Sequence, residues 1–209
     1  MKPTLNALAT ALLISTSASA LAASTVDLTV KGVITPNACT PSLSGTGVID
    51  YGKISAKDLN LTTLTQLPTA TLQLTITCEG STLFAIKGTD NRAGSSSTLN
   101  GYGLGLINGT QKLGGYYLTL QNAVADSVNT NVLESSDNGT TWHDLDDTAL
   151  LPTSLAGFGD RSSGTWLPIA IEQVTTDLLV YGHIARADSL DLSDEHPIDG
   201  SATFEVKYL

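Results

Sequence analysis

Two cysteines and three histidines are the side chains of this 209-residue chain best suited to redox or metal chemistry. Cys39 and Cys78 could bond to each other, whereas a metal site needs more ligands than two thiolates supply. His143, His183 and His196 are far apart in the sequence, and none is paired with a cysteine. We therefore predict no metal and no cofactor, and, if the chain is exported, one disulfide between Cys39 and Cys78.

Acidic residues cluster in two places that could attract a hard cation. Asp144, Asp146 and Asp147 form one cluster, and residues 191–196 form the other. Flexible carboxylate loops suit calcium, but neither cluster has the spacing of a calcium loop. We interpret both as solvated loops, and since no nucleophile–base arrangement stands out, we expect no enzyme.

The clearest short motif is S-x-D-x-G-x-T-W, formed by Ser135, Asp137, Gly139, Thr141 and Trp142. It resembles the Asp-box of sialidase-type propellers. A propeller repeats its blade signature several times, whereas the motif occurs once here. We interpret it as a structural hairpin in which the aspartate bonds the turn backbone and the tryptophan packs beneath it. The enzyme alternative depends on this motif alone.

The start of the chain indicates export. Lys2 is followed by a short apolar stretch at residues 5–14 and by small residues at 18–23. This pattern predicts a secretory signal peptide over residues 1–23 and a single mature domain over residues 24–209. No later apolar run reaches about 18 residues, so we predict no membrane span.

The charge of the chain is strongly acidic, with a formal net charge of −10 from 10 basic and 20 acidic residues. Removing Lys2 with the signal peptide makes it more negative by one. Nucleic acids and anionic lipids bind through clusters of Lys and Arg, which this chain lacks. We therefore exclude both as partners and attribute the charge to solubility.

The elements that carry these residues are predicted to be short strands. Glycine and proline, 19 and 7 of them, punctuate the chain, and no amphipathic helical stretch persists after the signal. The dipeptides Asn108-Gly109 and Asn138-Gly139 are typical of tight hairpins. Residues 89–97 and 188–200 are predicted to be exposed loops. The class is all-β, an antiparallel sandwich. Predicted strands are 25–35, 47–54, 69–78, 82–88, 102–107, 113–121, 130–135, 140–145, 165–172, 174–186 and 201–209.

The last eight residues, ATFEVKYL, alternate apolar and polar side chains. Phe204, Val206 and Tyr208 fall on one face of the predicted strand, as in a half-buried strand. Two interpretations stay open. The strand is either enclosed within a sheet, or it lies at an edge and invites a partner.

Several segments together resemble the pilins of chaperone–usher systems, including a subgroup of fimbrial-like proteins without an assigned role. Residues 30–39, VKGVITPNAC, are similar to the first pilin strand, and residues 48–52, VIDYG, to the short strand that follows it. Cys78 matches the second pilin cysteine in order and approximate spacing. The end of the chain is similar to the last pilin strand, with tyrosine as its penultimate residue. The resemblance covers residues 24–80 and 198–209 well and the middle poorly.

The resemblance implies an immunoglobulin-like sandwich that lacks its last strand, so that the C-terminal strand borders an apolar groove. Phe204, Val206 and Tyr208 would then lie on the groove-bordering strand. The implied partners are a periplasmic pilus chaperone, an outer-membrane usher and other pilin subunits, which fill the groove in turn with a donated strand. The implied role is a structural subunit of a surface fimbria in cell adhesion, exported through the periplasm.

The donor strand would lie within residues 24–30, where Val26, Leu28 and Val30 alternate with polar residues. This segment is shorter than the extension of a rod-forming pilin. Its alternation is equally that of the start of the domain's own first strand, so both interpretations stand.

A second hypothesis is a self-contained sandwich that binds a glycan or a protein. Its groove would be closed by additional strands within residues 98–165. The ligand would contact exposed aromatic residues of the middle region. These are Tyr102, Tyr116, Tyr117, Trp142 and Trp166, several of which should also belong to the core.

Overall fold

The computed structural model describes residues 28–32, 37–145 and 148–209. The chain divides into two units, residues 1–34 and 35–209. In the first unit, residues 28–32 are exposed and form no strand. The predicted signal peptide (residues 1–23) and Val26 lie outside the described residues, as do Asp146 and Asp147.

The second unit contains two large sheets, and every pairing between their strands is antiparallel. The first sheet has the strand order β1-β3-β14-β8-β5, with β2 paired to β14 and β9 to β8. Its strands are β1 (Cys39–Leu43), β2 (Thr65–Gln66), β3 (Ala70–Thr82), β5 (Tyr102–Gly103), β8 (Gly114–Ala125), β9 (Val128–Asn129) and β14 (Ile171–Ile184).

The second sheet has the strand order β11-β10-β12-β4-β15, with β13 paired to β12. Its strands are β4 (Phe84–Asp90), β10 (Asn131–Ser135), β11 (His143–Asp144), β12 (Leu155–Asp160), β13 (Leu167–Pro168) and β15 (Ala202–Tyr208). A small hairpin is formed by β6 (Leu106–Ile107) and β7 (Gln111–Lys112). Short 3-10 turns occupy Ser44–Gly47, Ala56–Asp58 and Ala187–Ser189.

The core lies between the two sheets, because alternate residues of facing strands point inward. Leu74 and Leu178 of the first sheet are buried in one cluster with Phe84, Ile86 and Phe158 of the second. The rings of Phe84 and Phe158 meet edge to face at 6.3 Å. The predicted all-β antiparallel sandwich is confirmed.

The Asn108-Gly109 prediction is confirmed as a tight turn, with Thr110 N–H donating to Ile107 O at 3.1 Å, whereas Asn138-Gly139 lies within the longer connection 136–142. Asn108 and Gly109 have φ values of 51° and 72° between β6 and β7, and Asn138 and Gly139 have 61° and 90° between β10 and β11. Positive φ at both central positions is what a primed hairpin turn requires. Asparagine and glycine tolerate this conformation better than other residues.

Two predicted strands near the start are wrong. Residues 28–32, the described part of the predicted strand 25–35, form no strand, and Cys39 is the first residue of β1. Residues 48–55 form no strand either. There the chain turns at Gly52, whose φ is 63° and whose N–H donates to Asp50 Oδ1 at 2.8 Å.

Further differences lie in the second half of the chain. The strand β12 was missed, because Gly157 and Gly159 weaken the strand pattern of its sequence. The predicted strands 165–172 and 174–186 are instead the short β13 and the single long β14. Along the described residues, no helix is long and apolar enough to cross a membrane.

The segment 89–97, predicted as an exposed loop, is partly buried. Asp90, Ser95 and Ser96 are each less than a tenth exposed. Asp90 accepts hydrogen bonds from the backbone N–H groups of Arg92 at 2.8 Å and Gly103 at 3.0 Å. The polar side chains serve here to fix the turn after β4, so their composition did not indicate exposure.

Candidate functional site

The strand β15 lies at the edge of the second sheet and pairs only with β4 among the described strands. Asn91 N–H donates to Ser201 O at 2.9 Å, and Leu209 N–H donates to Leu83 O at 3.1 Å. In an antiparallel pair the hydrogen-bonded positions alternate. The N–H and C=O groups of Phe204 and Val206 therefore face the open edge.

Beside this open edge lies an apolar groove of about 240 Å³ between the two sheets, the edge groove. One side is Ala202 and Phe204 of β15, and the opposite side is Leu43, Gly47 and Ile49. Leu72, Leu118, Leu178 and Val180 of the first sheet contribute to its floor. Among the residues that the structure describes, no charged side chain lines it. A strand with apolar side chains could therefore pair with β15 and cover the core.

The three residues predicted on the groove-bordering strand behave differently. Phe204 and Val206 point inward, pack against the main core and stay half-buried. Tyr208 is 43 % exposed, and its hydroxyl accepts a hydrogen bond from the N–H of Cys39 at 3.0 Å. Phe204 and Val206 thus have apolar surface left to bury, while Tyr208 fixes the end of β15 to β1.

The predicted disulfide between Cys39 and Cys78 is confirmed. The two cysteines are opposite each other in the register of β1 and β3. The bond therefore joins the edge strand of the first sheet to the core, next to the end of β15.

Of the predicted donor residues, Leu28 and Val30 are 89 % and 86 % exposed. Val26 lies outside the described residues. Apolar side chains this exposed are available to another molecule, which is consistent with donation but also with other uses.

A second cavity of about 500 Å³ shares Ile49, Tyr51 and Ile198 with the edge groove. Two of the polar atoms at this cavity, Tyr51 Oη and His196 Nε2, are buried without a hydrogen-bond partner among the described residues. Burial raises the pKa of the Tyr51 phenol. An exposed ion pair of 3.0 Å between Lys53 and Glu195 joins the two walls. Sequence reasoning missed this cavity, because the loop containing Glu195 and His196 carries no apolar pattern.

The Asp-box forms the predicted structural hairpin. Asp137 Oδ1 accepts hydrogen bonds from the N–H groups of Thr140 and Thr141 at 3.1 and 2.9 Å, and from Ser135 Oγ at 2.8 Å. Thr141 Oγ1 donates to Asp137 Oδ2 at 2.6 Å, and this bond, followed by the donors to Oδ1, lowers the pKa of Asp137 to about 2. Trp142 is buried and donates from Nε1 to Gly139 O at 3.1 Å. The carboxylate is thus committed to the turn.

The aromatic residues predicted as an exposed ligand surface are for the most part not exposed. Tyr102, Tyr116 and Trp142 are buried, and Tyr117 and Trp166 are half-buried. Tyr102 and Tyr116 stack at 5.2 Å in the core. The expectation that several of these rings belong to the core is confirmed, and the five residues do not form one exposed ligand surface, because large rings fill the sandwich.

The three histidines lie on different elements: His143 in β11, His183 in β14 and His196 in the loop before β15. In the ranges 28–32, 37–145 and 148–209, no group of three or more His, Cys, Asp and Glu side chains is placed to hold a metal ion. His183 is buried, with Nε2 at 3.2 Å from Ser97 Oγ, and burial lowers its pKa. The contact with Ser97 is therefore a structural one.

Comparison with known proteins gives one family and two relatives. Residues 28–111 match the family DUF1120, described as a protein of unknown function. The chain is 29 % identical to Protein GltF of Escherichia coli (strain K12) over 238 positions, covering 92 % of each protein. It is also 29 % identical to Uncharacterized protein YhcF of the same organism over 224 positions, covering 91 % of this chain and 93 % of the relative. These names state no activity, so the functional argument depends on the groove.

Proposed function

We propose that this chain is a structural subunit of a surface fimbria, exported through the periplasm and assembled by donor-strand exchange to serve cell adhesion. The observation that carries the proposal is the open edge of β15 beside an uncharged apolar groove. Such an edge can accept a strand from another chain through main-chain hydrogen bonds, while the groove accepts alternate side chains. We assign the chain a structural role and no catalytic one.

The energy available in the groove supports strand uptake. Phe204, Val206, Leu43, Ile49 and Leu72 are all half-buried. Complete burial of a large aliphatic or aromatic side chain stabilises by about 1.5–3 kcal/mol, so finishing a half-buried one contributes roughly 1 kcal/mol. Main-chain pairing along the seven residues of β15 adds to this. Together these terms are comparable with the stability of a small domain.

A chain with an unfilled groove is prone to aggregate, so its partners are expected to be proteins that cover the groove. An open strand edge beside apolar surface favours aggregation. The proposed partners are therefore a periplasmic pilus chaperone, an outer-membrane usher and other pilin subunits, each covering the groove at one stage. Leu28 and Val30, with Val26, are the proposed donor side chains.

The test is to express the chain with its export signal, with and without a candidate chaperone, and to follow soluble protein by size-exclusion chromatography. Recovery only as a chaperone complex is the expected result. A stable monomer obtained without the chaperone would favour the second hypothesis, the self-contained sandwich.

Two matched pairs of variants sharpen the test. Val206→Lys places a charge on the inward face of β15, next to the groove-lining Phe204, and should abolish the complex, whereas Thr203→Lys, on the outward face of β15, should not. Replacing both Leu28 and Val30 with Asp should leave the chaperone complex intact but prevent polymerisation. Thr29→Asp, the control, should leave both the complex and polymerisation unchanged. Equal complex yields from V206K and T203K would contradict groove binding.

A further inference from the structure

The outer face of the first sheet carries an ordered array of uncharged polar side chains, which we call the threonine face. Strand alternation places the side chains of Thr75 and Thr175 on this face, and the two residues are opposite each other in the β3–β14 register. Ser42 of β1 is opposite Thr75 and extends the row. A neighbouring row contains Thr40, Thr77 and Gln173. Such rows repeat along the strands, and neighbouring side chains within a row are about 4.8 Å apart, the spacing between adjacent strands.

Charge is nearly absent from this face. Asp177 is the charged side chain within the rows, and Asn122 Nδ2 donates to it at 2.9 Å. Glu79 and Glu172 lie at one end. The whole chain has 30 charged residues among 209, 10 basic and 20 acidic, and the outer side of β15 carries Glu205 and Lys207 as an ion pair. A solvated surface usually mixes charges of both signs, so the composition of the threonine face is unusual.

The threonine face offers free hydrogen-bonding groups. Among the described residues, the hydroxyls of Thr71, Thr75, Thr77 and Thr175 contact no hydrogen-bonding partner. Ser42 Oγ donates to Thr75 O at 3.3 Å and is the partly engaged member. Each hydroxyl can both donate and accept. The face can therefore match a ligand that presents donors and acceptors in alternation.

An apolar strip borders the array. Tyr181 and Tyr117 are opposite each other on β14 and β8, with Leu179 beside them on the same face. Tyr181 is 39 % exposed. The Tyr117 ring stacks on His183 at 6.1 Å, and its hydroxyl donates to Leu99 O at 3.0 Å. The strip is thus a fixed aromatic surface next to the hydroxyl rows.

We propose that the threonine face binds a neutral polysaccharide, with the sugar hydroxyls on the threonine rows and a ring face on Tyr181. Nucleic acids and acidic polymers need basic side chains, which this face lacks. A protein partner needs a desolvated apolar centre, and the strip is too narrow to form one. Neutral sugars combine dense hydroxyls with apolar ring faces, which is the combination the face offers. This inference does not depend on the proposed function, because the threonine face lies outside the groove.

The test is affinity electrophoresis of the full chain, purified from the periplasmic fraction in whichever form it is recovered. Native gels contain hydroxyethyl cellulose, mannan or dextran as neutral probes and alginate as the acidic probe. Uncharged replacements keep the mobility in plain gels unchanged. The variants are Tyr181→Ala and the double variant Thr75→Ala/Thr175→Ala, with Thr89→Ala, an exposed threonine of the second sheet, as the control.

We expect at least one neutral polysaccharide to retard the wild-type chain relative to a reference protein. Both face variants should bind that polysaccharide about tenfold or more weakly in Kd, a difference of about 1.4 kcal/mol. The control T89A should bind it as the wild type does. No retardation in any neutral gel overturns the proposal. Equal retardation of the face variants and wild type also overturns it, as does alginate binding as strong as neutral binding.

Discussion

Asp137 shows how a single side chain stabilises a turn through its charge. Three hydroxyl and backbone donors face Oδ1, and Thr141 Oγ1 donates to Oδ2 at 2.6 Å. These donors favour the ionised carboxylate and lower its pKa from 3.8 to about 2. The charged form is therefore preferred more strongly in the folded chain than in the unfolded one.

Replacing Asp137 with Ala should lower Tm by several degrees near pH 7, because the hairpin loses its carboxylate acceptor. The folded-state pKa is depressed, so the stabilisation is present above about pH 4 and is lost as pH falls toward 2. The gap in Tm between wild type and D137A should narrow over that range. Thermal unfolding followed by circular dichroism checks this, with Ser136→Ala as the control. A difference in Tm that does not depend on pH would show that the charge of Asp137 does not stabilise the hairpin.

His183 should make folding sensitive to mild acid. Burial lowers its pKa below the ordinary value of 6.5, so the unfolded chain binds the proton more readily. Stability is therefore highest above about pH 6.5 and decreases as the pH falls below it. Denaturant unfolding between pH 5 and 8 should show this slope, and His183→Gln should reduce it. The exposed His143→Gln is the control, and a slope unchanged in H183Q would assign the effect to other groups.

At the scale of elements, the sequence predicted strands where alternation was regular. The strand β15 and the inward side of β3 follow such patterns, and the structure places them within a few residues of the prediction. The strand β12 was missed because it contains Gly157 and Gly159, which have no side chain to show alternation. These glycines are required by neighbours: a Cβ at Gly157 would lie 2.8 Å from the Trp142 ring, and one at Gly159 would lie 2.0 Å from Leu167 O. Such contacts depend on distant parts of the chain and leave no local pattern.

The Gly159 contact leads to a prediction for β12. Gly159→Ala should destabilise the fold by about 1–3 kcal/mol, because the new methyl group meets backbone that cannot move aside easily. Gly32→Ala is the matched control, since a Cβ there meets no atom within 4 Å. Urea unfolding at neutral pH measures both. Equal stability of the two variants would show that β12 and β13 can separate without cost.

At the scale of the whole molecule, the groove could be predicted only through the resemblance to pilins. Alternation indicated which side of β15 faces inward, but it could not decide whether a further strand covers that side. The missing information is the strand topology. The strands β5 and β9 and the segment 148–150 lie along β8, on the side of the first sheet away from β1. Because they are placed there, they do not cover the edge of β15. The cavity around Tyr51 and His196 also arises from two irregular loops and has no periodic signal.

The disulfide should contribute to the stability of the entire sandwich. Cys39 and Cys78 are 39 residues apart, and closing a loop of this length stabilises by roughly 4 kcal/mol when the entropy of the unfolded chain is considered. Replacing both cysteines with serine should lower the free energy of unfolding by a similar amount. Chemical denaturation of the variant, and of wild type with and without reductant, tests this. The prediction would be contradicted if reductant leaves the denaturation midpoint of the wild-type chain unchanged although a thiol assay shows that the disulfide is reduced.

The two tryptophans of the chain lie on the outer side of the second sheet, where Trp142 is buried with Ala85, Leu133 and Leu155, and Trp166 packs against them. Tyr51 and Tyr116 line the edge groove instead. Intrinsic fluorescence is therefore divided between two reporters. Indole emission follows the Asp-box hairpin and global unfolding, whereas occupation of the groove affects the emission of Tyr51 and Tyr116, two of the six tyrosines. A titration observed only at the indole wavelength would miss strand docking even when the groove is full.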